Sequence, residues 1–125
     1  MIFSAKFTTS TAAALIAVSA SLAATPGFAV PRYDGLWSVS IVTTKGDCIA
    51  SYRYPMLIDH GVLANGGALP IDVSGRVAPS GAVRVTLRHG DTRAAASGRL
   101  SGSVGRGYWS GASCSGSWTA ERRSS

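Results

Sequence analysis

The chain has 125 residues, with twelve Lys and Arg against six Asp and Glu, two Cys, and a formal net charge of +6. That length leaves room for one folded domain. The basic balance argues against basic partners and toward acidic ones, because like charge repels an approaching surface.

Residues 1–29 read as a secretory leader. Lys6 supplies the positive start, "STAAALIAVSASLAA" the small apolar segment, and "GFA" at Gly27 to Ala29 a small residue at both ends of a cleavage site. "SLA" at Ser21 to Ala23 is a second site. Thr11, Ser19 and Ser21 interrupt the segment, which is too short to span about 30 Å of hydrocarbon. Cleavage is therefore expected rather than a stable membrane anchor, and the location is periplasmic or secreted. The remaining span, 30–125, is one β domain of 96 residues with eleven basic and six acidic side chains, net +5. Ten of the eleven are arginine, Lys45 being the single lysine.

Helix signals are nearly absent from this span; alternation replaces them. "WSVSIVT" places Trp37, Val39 and Ile41 on one face and Ser38, Ser40 and Val42 on the other. "KGD" at Lys45 to Asp47 is a hairpin turn, and the return strand is predicted to start at Cys48. Cys48, Ala50, Tyr52, Tyr54, Met56 and Ile58 share the inward parity, while Ser51, Arg53 and Asp59 oppose it. Pro55 has no N–H to donate to a ladder, so a bulge or an edge is expected there. "DHG" at Asp59 to Gly61 turns the chain into Val62 to Ala64, and "NGG" at Asn65 to Gly67 breaks it again. Ile71 and Val73 then face inward, with Asp72 and Ser74 outward. "PSG" at Pro79 to Gly81 leads to "VRVTLR", with Val83, Val85 and Leu87 inside and Arg84, Thr86 and Arg88 outside.

Ser-Gly-Arg-aliphatic occurs twice, at Ser74 and again 23 residues later at Ser97. Each copy reads as a strand end running into a hairpin. Its glycine is expected to allow a bend or bulge, and the aliphatic residue to return to the core. "YWSG" and "SCSGSWTAER" complete the chain, with Cys114, Gly116, Trp118 and Ala120 on one parity. About eight short antiparallel strands result. They predict an all-β domain, a meander closing into a small barrel or a sandwich. A Cys48–Cys114 disulfide is expected from two cysteines in an exported chain. Its loop is long enough for about 4 kcal/mol by chain entropy. Trp37 and Trp118 are expected to pack beside it.

Little in this sequence carries chemistry. Asp34, Asp47, Asp59, Asp91 and Glu121 lie in or beside turns or strand ends, Asp72 is mid-strand and outward, and no two form an acid–base dyad. His60 and His89 each precede a turn glycine. A zinc set of Cys48, His60, His89 and Cys114 has no short ligand spacing and would sacrifice the disulfide. CxxCH, GxSxG, HExxH and P-loop patterns are missing. No enzyme activity, metal or cofactor is expected. The arginines stand out: Arg53, Arg84 and Arg88 project outward and are the candidate binding residues for an anionic ligand or acidic macromolecule. Nucleic acid is not an expected partner for an exported chain.

"DGLWSVSIVTTKGDC" with "GYWSGASCSGSWTAER" resembles a family of small secreted alphaproteobacterial proteins, sometimes labelled as linked to haem utilisation or adhesion. That resemblance implies a small exported domain and brings a haem-related or adhesive role into view, with His60 or a tyrosine as haem ligand. Gly35, Trp37 and Cys48 also resemble the start of periplasmic metalloprotease inhibitors, small up-and-down barrels reading G-x-W and then cysteine. In those the second cysteine follows sooner than Cys114 does. This second resemblance implies inhibition of a secreted hydrolase, through a chain end or a loop such as "NGGALP".

Overall fold

A computed structural model describes residues 32–125; the predicted leader lies outside the described residues. Eight strands follow one another: β1 (Gly35–Lys45), β2 (Ser51–Asp59), β3 (Val62–Asn65), β4 (Asp72–Val77), β5 (Ala82–His89), β6 (Thr92–Ser101), β7 (Val104–Gly111) and β8 (Ser115–Ser124). Each pairs antiparallel with the next, and β1 also pairs with β8, so the meander closes into a barrel. Closure removes the edges of the first and last strands, and among the described residues backbone edge remains only beside the short β3, where β2 before Met56 and β4 before Arg76 have no β3 partner. The barrel is the outcome, not the sandwich.

Alternation decides the interior as predicted. Trp37, Val39, Tyr54, Met56, Val83 and Leu100 are buried or half-buried, while Ser74, Arg84, Thr86 and Ser97 are exposed. The SGR copies do end strands before hairpins, but neither glycine makes a bulge. Gly75 pairs with Val85, and Gly98 with Gly107, in unbroken register. Their role is room. A Cβ on Gly98 would lie 2.5 Å from Trp118 Cζ2, and one on Gly107 would lie 2.8 Å from Trp118 Cε2. The Trp118 ring therefore lies flat across β7 and β6, donating from Nε1 to Ser97 O at 3.2 Å. Pairing large inward side chains with inward glycines lets so narrow a barrel fill without strain.

Two boundaries differ from expectation. The β1–β2 hairpin is longer than "KGD": its register ends at Val42–Ser51, so Cys48 and Ala50 are exposed loop residues. Pro55 makes no bulge; it pairs with Ser38 in continuous register. Its carbonyl accepts from Gly66 N, so its imide nitrogen faces the same side, beyond the end of β3. A strand residue points both backbone groups one way, and here the lost donor costs the ladder nothing.

The disulfide Cys48–Cys114 is formed, with a Cα separation of 6.2 Å. It joins the β1–β2 loop to the β7–β8 loop at one end of the barrel, in keeping with an oxidising, extracytoplasmic environment. The two tryptophans do not flank it as expected. Trp37 sits at the opposite end of β1 from the bridge. Trp118, though nearer along its strand, spends its ring on β6 and β7.

Candidate functional site

The barrel's two ends are built differently. At the first end the interior is packed. Trp37, only 1% exposed, fills the axis with Tyr33, Ile58, Leu63, Val83 and Leu100 around it. Trp37 Nε1 donates to Tyr33 O at 2.9 Å, drawing the segment before β1 across the floor. Arg122 lies over the Trp37 ring at 5.3 Å and donates to Asp34 O, Arg32 O and Gly102 O. The Asp34 carboxylate accepts from His60 N and Gly61 N, which cap the β2–β3 turn. Both turn residues have positive φ, 53° and 77°, the two-residue hairpin geometry that Gly61 favours.

The other end is open. Above the floor lies a cavity of about 280 Å³. Its middle is walled by Val39, Tyr54, Met56, Val85, Ala96 and Trp118, and its upper part by Ile41, Ile71, Leu87, Ala94 and Trp109. The polar lining comes at the rim, where Arg88 and His89 end β5, Thr92 starts β6, and Tyr52 stands 46% exposed. Exposure at these positions means that the cavity reaches the surface there. Trp109 is held across Gly116 by its Nε1 bond to Val42 O at 3.1 Å.

One lip is pinned. The short β3 stops at Asn65, and the loop 66–71 completes the wall between β2 and β4. Tyr54 Oη donates to Asn65 Oδ1 at 2.7 Å and accepts from Leu69 N at 3.0 Å; Asn65 Nδ2 donates to Leu69 O and Ile71 O. Tyr54 is 7% exposed, so its hydroxyl needs these partners. They fix a loop that otherwise has few anchors, and leave Leu69 half exposed beside the rim.

The three arginines singled out from sequence are not brought together. Arg53 is on β2, donating to Ser38 Oγ at 3.2 Å. Arg84 lies mid-β5. Arg88 is at the cavity rim, opposite Asp72 on one side and Arg93 on the other. His60 and His89 sit at opposite ends of the barrel and both cysteines are oxidised, so the four-residue zinc set is not assembled. His60, Asp59 and Asp34 do cluster at the closed end, but Asp34 is committed to backbone N–H groups. As for haem ligation, His60 lies at the far end from the cavity. What the sequence reading missed is the cavity itself. Alternation places Val39, Ile41, Tyr54, Met56, Val85 and Trp118 of its wall inward, yet it says nothing of whether an interior is filled.

Comparison with protein-family models, with characterised proteins and with solved structures finds no match for this chain.

Proposed function

We propose that this chain is an exported, non-enzymatic binding protein that holds a small, mainly apolar molecule inside its barrel. One observation carries the reading: an apolar cavity of about 280 Å³, closed below by Trp37 and open at the Tyr52–His89 rim. Eight strands make an interior just wide enough to be filled or to hold one small ligand. Water in such a space finds few polar partners, so an apolar occupant is favoured. The volume sits near the lower end for ligand pockets, which suits a ring system or short chain rather than a long lipid. Polar groups gather only at the rim, so the ligand enters apolar end first, with any polar group beside Arg88, His89 and Thr92. Export is read from the leader-like residues 1–29, and the Cys48–Cys114 bridge supports it; delivery to the periplasm or beyond is part of the proposal.

Titration with N-phenyl-1-naphthylamine, a neutral apolar fluorophore, tests this. Saturable one-to-one binding with a blue-shifted emission is expected. Ala94→Phe, which fills the upper cavity, should weaken it at least tenfold while the thermal midpoint stays within a few degrees. Binding that never saturates, or that ignores Ala94→Phe, rejects the interior as the site.

A further inference from the structure

The outer wall from β4 to β7 carries a second feature, independent of the cavity. Arg76 stands directly opposite Arg84, and Arg99 directly opposite Arg106. Paired strand positions hold Cβ atoms roughly 4.5–5.5 Å apart, and like charges there repel. Among the described residues the ion pairs are His60–Asp59 and Arg123–Glu121, so none of these four arginines has a carboxylate partner. Arg99 spends one donor on Ser80 O, and among the described residues no polar contact ties down the other three. A sheet surface built only for solubility would alternate its signs.

Beside the quartet runs a groove of about 580 Å³ on the same wall. Its floor is small and hydroxylated: Ser74, Thr86, Ser97 and Ser110, with Ala95 between them. Arg84 flanks one side and Tyr108 the other, and Tyr108 is 76% exposed, an aromatic face that the fold leaves bare. Registers place Arg84, Ser97 and Tyr108 side by side on three consecutive strands.

We propose that this groove binds a segment of acidic polysaccharide. An aromatic ring offers a stacking platform for the C–H face of a sugar. Short hydroxyl side chains along the floor offer donors and acceptors to sugar hydroxyls. Arginine forks match carboxylate or sulfate groups bidentately. A flat anionic bilayer would meet the four arginines but would not reach a floor recessed between Arg84 and Tyr108, so the groove favours a chain over a surface. Occupancy by acid groups also relieves the repulsion within both arginine pairs.

The test is calorimetric titration with alginate oligosaccharides, dextran sulfate, neutral dextran and polyphosphate, alongside phosphatidylglycerol vesicles. Alginate or dextran sulfate should bind, weakening with salt, and neutral dextran should not. Arg84→Gln with Arg106→Gln should lose at least tenfold in affinity, and Tyr108→Ala at least threefold. The arginine double variant should melt no lower than the parent, since one member of each repelling pair is gone, and its N-phenyl-1-naphthylamine binding should be unchanged. Failure of both acidic glycans to bind overturns the proposal. So does polyphosphate binding as tightly with no loss in Tyr108→Ala, or vesicles binding where glycans do not.

Discussion

Arg122 shows how much one side chain at a strand end can organise. By parity it points inward, where a bare charge would be costly. Its guanidinium escapes that cost by lying on the Trp37 ring and donating to three carbonyls from residues 32, 34 and 102. Bonds from a charged donor contribute about 1.5–3 kcal/mol each when well made, and a cation over an aromatic face about 0.5–1 when part exposed. Water replaces part of this, because the residue is only half buried. We expect Arg122→Ala to lose about 2–3 kcal/mol in urea unfolding. Arg122→Lys should recover less than half of that, since one ammonium cannot reach three carbonyls in different directions. A lysine variant as stable as the parent would show that charge alone matters. None of this was legible in the sequence, where Arg122 is one of ten arginines in residues 30–125. Its partners lie 88 and 90 residues away for two of the bonds, and no spacing rule links them.

At the scale of the strand, alternation carried most of the information. It placed Val83, Val85 and Leu87 inside β5 and Arg84, Thr86 and Arg88 outside, because a pleated strand has no other way to present its side chains. It failed where position along the barrel matters as much as face. Cys48, Ala50 and Tyr52 have the right parity, yet they lie beyond or at the rim and are exposed. The SGR glycines were read as bends, whereas Gly98 clears a path for a ring that starts on β8. The β2–β3 hairpin offers a clean test of a connection across elements. Asp34, before β1, caps His60 and Gly61 in a turn 26 and 27 residues on. Asp34→Ala leaves those N–H groups to solvent, which should cost about 1–2 kcal/mol. Amide exchange at His60 and Gly61 should quicken more than at any β5–β6 position. Equal protection of the His60 and Gly61 amides in both proteins would mean that the turn holds its shape unaided.

For the molecule as a whole, the seam between β1 and β8 decides whether a barrel exists. Seven hairpin connections bring neighbouring strands together locally, but the closing pair joins the first strand to the last. Its register shifts between Leu36 and Trp37 and again between Thr43 and Lys45, so its ladder is broken near both ends. The disulfide sits beside that second break, linking loops 66 residues apart in sequence. A closed loop of that length restricts the unfolded chain by roughly 4 kcal/mol in the chain-entropy account, a large share of the 5–15 kcal/mol typical of a domain. Replacing both cysteines, Cys48→Ser with Cys114→Ser, should therefore lower unfolding stability by about 3–4 kcal/mol. The open end should respond before the closed one, because Trp37, Arg122 and Asp34 lock the floor without help from sulfur. Two probes separate the ends. Binding of N-phenyl-1-naphthylamine should weaken in the double variant even under conditions where it is fully folded, while amide protection around Trp37 and Leu100 is retained. Should the floor lose protection together with the rim, the barrel opens as one unit and the bridge secures the whole seam rather than its upper end.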